Sequence, residues 1–340
     1  MEAGKQRRGK WQAAGGIVVS LFFIYLAARR VDAADMLRAL QKADYLYLLP
    51  LLATVALGLF LRSLRWRFLL APIAAAPTGA LFTSLAIGYM ANTFMPAHLG
   101  EFVRSWHAGR RTGIAAGSVF ATIVVERLID VVSLLLLLGL ALRVFPFPGW
   151  VRQSGLVLLV LVVALGLLLL AMKKFKQPAL AACHGLLRFL PGTAAARVRE
   201  ALDQFLCGVS PLKRRGHYVI VAALSLLIWA SYALTYQLLF HAFGFVARYR
   251  LPWSAALVAM VITTISVVVP SSPGYIGTFH YLCQLALGLF LIPKSAALSY
   301  AFVLHAISVF PVFFLGLFFL AREKMSLRSL RAEEIHAADR

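Results

Sequence analysis

The chain of 340 residues is 61% hydrophobic and only 14% charged, with a mean hydropathy of +0.82, a profile that excludes an ordinary soluble domain. Its formal charge of +21 comes from 34 Lys+Arg against 13 Asp+Glu, which in a soluble protein would suggest nucleic acid. Here the basic residues sit mainly in loops between apolar runs without an RNA-binding signature, so membrane topology and anionic lipid headgroups explain them and no nucleic-acid partner is expected.

The N-terminus, MEAGKQRRGKWQ, is basic and precedes an apolar run at 11–28. A cleaved signal peptide is one reading. An uncleaved anchor helix fits better, because Arg29 and Arg30 follow directly. Further apolar runs lie at 45–61, 79–96, 114–142, 155–172, 217–246, 253–270 and 296–321, with a shorter one at 281–292. The longest polar interval, 173–216, is too short and too apolar for a soluble domain, so 1–340 is expected to form a single integral membrane domain. Cys183, Cys207 and Cys283 have no metal-type spacing and read as small buried apolar residues.

Charge asymmetry sets the expected topology. With the basic N-terminus in the cytoplasm, 11–28 goes out, 45–61 returns, and 62–78 with Arg62, Arg65 and Arg67 is a cytoplasmic loop. If 79–96 crossed fully, segment 173–216, with nine basic residues, would lie outside. The rule is satisfied if 79–112 dips in and returns to the cytoplasmic side, and if 253–292 does the same from outside. The expected fold is therefore all-α and integral to the membrane. It is a polytopic bundle of about six full spans plus two re-entrant hairpins of opposite orientation, with both termini cytoplasmic. Segment 173–216 stays cytoplasmic. Within it, Val198, Leu202, Phe205, Leu206 and Val209 share one helical face, as in a helix lying on the leaflet or capping the loops.

The two hairpins share a pattern. NTFMPAHLGEF places Pro96 four residues before Gly100, and SVVVPSSPGYIGTF places Pro270 four before Gly274. Broken helices in opposite orientation are the mark of an inverted repeat. Pro270 and Pro273 remove amide donors, and Gly274 and Gly277 permit turns. Such backbone persists at membrane depth only where protein buries it or it lines a polar cavity.

The run 114–142 carries Glu126, Arg127 and Asp130. Each charge alone at mid-span costs about 2.5–3.5 kcal/mol, so the three must be paired or hydrated. Arg127 and Asp130 can pair at i,i+3; Glu126 and Asp130, at i,i+4, face the same way, so one of the two needs a cation from elsewhere, for which Arg104 is the candidate. Glu101 and Arg104 form a second i,i+3 pair. Two readings stand side by side: a static ion-pair network that holds the hairpin, and a guanidinium presented to a phosphate headgroup. His98 with Glu101 resembles half a metal site, but no metal-binding pattern completes it, and no metal or cofactor is expected. His280 and His305 read as interior residues, with a proton-relay role open to His280.

The blocks NTFMPAHLGEFVR, VVERLID and PSSPGYIGTFH resemble the flippase-like family, also called the transmembrane region of lysylphosphatidylglycerol synthase. The resemblance covers about residues 11–321. It implies functional roles for Asn92, Pro96, Gly100, Glu101, Arg104, Glu126, Arg127, Asp130, Pro270, Pro273, Gly274 and Gly277. Where members often carry Arg, Gly and Glu, this chain has His98, Tyr275 and His280, which bears on headgroup choice and coupling. The resemblance implies a lipid translocator rather than an enzyme, moving a phospholipid or polyprenyl-phosphate-type lipid across the bacterial cytoplasmic membrane through a polar midplane cavity. Its partners would be membrane lipids with an anionic phosphate headgroup. The alternatives are a membrane-embedded enzyme using His98, Glu101 and His280, and a proton- or ion-coupled solute transporter.

Overall fold

The computed structural model describes residues 16, 18–95, 99–147, 149–174, 192–209, 212, 214–267 and 273–324. Pro96, His98 and Pro270 therefore lie outside the described residues, as do most of 173–191 and the basic N-terminus. Among the described residues the secondary structure is helical throughout, with no strand.

The helices in chain order are α1 (Val18–Ala28), α2 (Ala33–Gln41), α3 (Leu48–Leu70), α4 (Thr78–Asn92), α5 (Gly100–Thr112), α6 (Ala116–Val144), α7 (Gly149–Lys174), α8 (Gly192–Gly208), α9 (Arg215–Ala242), α10 (Phe245–Tyr249), α11 (Ser254–Thr264), α12 (Thr278–Gly288) and α13 (Lys294–Arg322). Four stretches are long and apolar enough to cross a membrane: Tyr45–Leu70, Val151–Met172, Arg215–Ala242 and Lys294–Arg322. Helix α6, with 29 residues, matches them in length but carries Glu126, Arg127, Asp130 and Arg143. The chain is thus a multi-pass membrane protein.

Contacts at the helix ends sort the elements into two poles. At the first pole, the start of α4 (Thr78, Gly79), the end of α5 (Arg110, Arg111) and the end of α13 (Arg322, Glu323) line one cavity. At the second pole, the Asp44 amide donates to Ala242 O at 2.8 Å, the Asp32 amide donates to Ser295 Oγ at 3.0 Å, and Phe145 meets Phe290. Gln284 bridges Ala27 O and Lys294 O there. Helices α4 and α5 pack as an antiparallel hairpin open at the first pole, and α11 and α12 form another, open at the second.

Thr93 and Gly274, at described ends of the two hairpins, come together inside the bundle. Thr93, at the end of α4, lies about 22 Å from the first pole, and a Cβ on Gly274 would sit 3.7 Å from its carbonyl oxygen. His305, about 17 Å along α13 from the second pole, has Nε2 2.8 Å from Gly274 O. The two depths nearly add up to the length of α13, about 43 Å, so Thr93 and Gly274 lie near the middle of that length. Helix α13 also carries Pro311, whose missing amide removes one bond of its ladder.

Lipid tails give helices no apolar incentive to associate, so close packing falls to small residues and hydrogen bonds. Gly316 brings α13 against Met90 and Ala86 of α4, and Gly58 brings α3 against Ser231 and Tyr232 of α9. Thr54 and Thr235 hydrogen-bond across that same interface at 2.8 Å. The largest apolar core lies toward the second pole, where Tyr236, Phe240, Phe245 and Tyr300 pack with α11 and α12. Gly277, at φ +92, turns the second hairpin beside α1, and a Cβ there would fall 2.5 Å from Ser20 O. Gly277→Ala is expected to destabilise by about 1–3 kcal/mol, read as an earlier thermal melt in detergent.

One expectation changes, and one of two readings is chosen. The apolar run at 45–61 does not end the second long helix. It continues as α3 to Leu70, and Arg62 and Arg65 are buried helix residues rather than a cytoplasmic loop. Helix α8 docks on the start of α6: Ser118 Oγ donates to Gln204 O at 2.7 Å, and Gly117 lies against Gln204. Leu206 is buried while Val198 remains exposed, and Gly208 lies against Ser118 O and Ala121, so α8 is a cap packed on protein along part of its apolar face.

Candidate functional site

Three helices bring seven charged side chains to one place. Glu101 and Arg104 come from α5, Arg62 and Arg65 from α3, and Glu126, Arg127 and Asp130 from α6. Spacing by three or four residues puts each helix's contributors on its inner face. The cluster lies about 12–17 Å from the first pole, alongside the first hairpin and just below its tip.

Glu126 is the hub. Its side chain is fully buried, and it accepts from Arg104 Nη2 at 2.6 Å and Arg62 Nη1 at 3.1 Å, with Arg65 Nη2 at 3.4 Å. Asp130 accepts from Arg65 Nη2 at 2.7 Å and Arg62 Nη1 at 2.9 Å. Arg127 donates to Glu101 and reaches Asp130 at 3.5 Å. Arg104 stacks on Trp66, 3.8 Å to the ring centroid, and the indole donates to Thr122 at 3.0 Å. Arg62 Nε donates to Tyr232 OH.

Four guanidiniums thus face three carboxylates, leaving one surplus positive charge. The surplus emerges at Arg127. Its side chain is 40% exposed, whereas those of Arg62, Arg65 and Arg104 are 7%, 0% and 0%. Arg127 lies over the Tyr89 ring at 5.8 Å and within electrostatic reach of Tyr275 on the second hairpin. Deeper in, Arg104 Nε and Nη1, Arg65 Nε and Glu101 Oε2 are buried without a hydrogen-bond partner among the described residues.

The family description "Lysylphosphatidylglycerol synthase TM region" matches residues 13–316, which takes in every helix of this cluster. The chain belongs to this family. It is also 26% identical over 248 residues to a "UPF0104 membrane protein" of Methanothermobacter thermautotrophicus, covering 68% of this chain and 73% of that protein. No solved structure matches it.

Of the residues to which the family resemblance points, Glu101, Arg104, Glu126, Arg127 and Asp130 form one network. Arg104, the cation expected for Glu126 or Asp130, meets Glu126, while Asp130 is met by Arg62 and Arg65. Asn92 and Gly100 form the crossing of α4 on α5, where a Cβ on Gly100 would lie 2.5 Å from Asn92 Oδ1. Tyr275 and Gly274 bring the second hairpin to this region, while Pro273 starts the short turn that holds them. His280 stands apart from the charges: its Nδ1 accepts from the Gly277 amide at 3.4 Å, and its ring packs on Phe302 and His305.

Arg62, Arg65, Glu101, Arg104, Glu126 and Asp130 are buried against one another, and Arg127 alone of the seven is partly exposed. Arg62, Arg65, Tyr232 and Trp66 belong to it and were not singled out from sequence. One signal pointed to the arginines: three carboxylates at 101, 126 and 130 outnumber the two arginines at 104 and 127, which membrane depth does not permit without further cations.

Proposed function

We propose that the protein translocates an anionic lipid between leaflets, and that Arg127 receives the headgroup phosphate. The observation that carries this reading is the surplus guanidinium of a buried network, emerging where two hairpin tips meet. In this reading α1, α3, α6, α7, α9 and α13 cross the cytoplasmic membrane of a bacterium, and the hairpins α4–α5 and α11–α12 re-enter from opposite sides. At 15 and 13 residues for α4 and α5, and 11 each for α11 and α12, these helices are about 16–22 Å long, short of a hydrocarbon core of about 30 Å.

The chemistry follows from the charges. A phosphate bound at Arg127 neutralises the surplus and competes with Glu101 for the same guanidinium. Arg104 serves instead as an internal counter-ion, because it is wholly buried between Glu126 and Trp66. Passage of the headgroup requires the tips at Thr93 and Gly274 to part, the gating motion of an inverted repeat. The acyl chains remain in lipid throughout.

Arg127→Gln is expected to keep the fold, since the side chain is partly exposed, and to slow leaflet exchange roughly ten- to a hundredfold, the worth of a charge-assisted hydrogen bond. The measurement is quenching of a labelled anionic phospholipid, added from one side, in proteoliposomes. Exchange at the wild-type rate would remove Arg127 from the path. Absence of exchange in the wild-type protein, with uptake of a soluble solute or turnover of the headgroup, would replace translocation by transport of that solute or by enzymatic chemistry.

A further inference from the structure

A cavity of about 1050 Å³ opens at the first pole, between α3, the two arms of the first hairpin and the end of α13. Its lining has two sides. Arg110, Arg111 and Arg322 supply positive charge, and Phe60, Phe82 and Phe319 supply an apolar wall. Phe82 and Phe319 brace one another edge to face at 6.0 Å. Among the lining residues Glu323 is the sole carboxylate, so three guanidiniums face one negative charge.

Glu323 holds a particular position. One oxygen lies 2.7 Å from His107 Nε2 and the other 3.5 Å from Arg111 Nη1, and its side chain is 19% exposed. His107 is itself fixed from the far side, with Nδ1 2.8 Å from Ser84 Oγ. An anion thus already occupies the donor groups at the back of the cavity. Toward its mouth, Arg322 has no carboxylate within ion-pair distance among the described residues, and Arg110 rests over Trp106 at 5.7 Å.

We infer that this cavity binds an anionic amphiphile, its phosphate held by Arg110, Arg111 and Arg322 and its chain lying along the phenylalanine wall. Glu323 is a built-in competitor that occupies the anion's place until a headgroup displaces it. Charge complementarity selects the head, and the phenylalanine wall selects a lipid over a free anion. The site lies one to two helical turns from Arg104 along α5 and does not depend on the translocation reading.

The test is native mass spectrometry of the full chain titrated with phosphatidylglycerol, phosphatidylcholine or inorganic phosphate. Phosphatidylglycerol is expected to be retained over phosphatidylcholine. The double variant Arg110→Gln/Arg322→Gln is expected to lose on the order of tenfold in that preference at an unchanged melting temperature, because both side chains are exposed. Glu323→Gln is expected to bind on the order of fivefold tighter, the scale of one ion pair released. A merely structural Glu323 would give weaker or equal binding and overturn the competitor role. Equal retention of the two lipids, or no loss in the double variant, would overturn the site. Competition by inorganic phosphate as strong as by lipid would overturn the amphiphile. The changes produced at Arg110, Arg322 and Glu323 should persist at the same size in an Arg127→Gln background, which separates failure of this site from failure of the translocation path.

Discussion

Glu126→Gln is expected to cost about 3–5 kcal/mol and to yield protein that loses its monodisperse elution in detergent. The carboxylate is fully buried and meets Arg104, Arg62 and Arg65 within 3.4 Å. Gln preserves the shape and one acceptor but removes the charge. Three guanidiniums from two other helices would then share Asp130 and Glu101, and the surplus would rise from one positive charge to two. Removing one member of a buried pair costs more than the pair contributes, because the stranded partner keeps its desolvation penalty. The double variant Glu126→Gln/Arg104→Met should therefore recover part of the loss, and a double-mutant cycle on melting temperatures would measure it. A Glu126→Gln protein that melts within a degree of wild type would show that the network does not hold α3, α5 and α6 together.

The second large effect is expected at Gly100. A Cβ there would sit 2.5 Å from Asn92 Oδ1 and closer still to the Gly88 carbonyl oxygen, and one on Gly88 would sit 2.6 Å from Arg104 Cβ. The obstacle is backbone, so no rotamer change relieves it. Gly100→Val should force α5 off α4, moving Arg104 away from Glu126, at roughly 3 kcal/mol or more. Gly166→Ala in α7 is the matched control, since a Cβ there meets nothing within 4 Å. It should be neutral or stabilising by about 0.5–1 kcal/mol. Equal melting curves for the two variants would mean that the crossing has slack the geometry does not allow.

How far the sequence revealed this arrangement depended on the kind of signal. Apolar runs located the helices because the bilayer demands long apolar segments. Proline and glycine near 96–100 and 270–277 marked breaks between apolar runs because those residues break ladders, and described helices end at Asn92 and start again at Gly100 and Thr278. Arg62 and Arg65 were misplaced for a physical reason. Basic residues at the end of an apolar run read as a loop under a topology rule, and only the buried partners Glu126 and Asp130 make them interior. The choice between Arg104 and Arg127 also lay beyond sequence, since both pair at i,i+3 with a carboxylate. Only packing shows one sealed against Trp66 and the other exposed. The docking of α8 on α6 rests on Gly117 and Ser118 meeting Gln204, a distant contact without a local pattern.

Helix α13 touches the second hairpin through His305 and the first through Gly316, and Pro311 stands between those two contacts. The rod that joins both loops thus has its weakest link midway between its points of attachment. A bend at that link would move one attachment point relative to the other, so a single joint would suffice to shift both loops in concert.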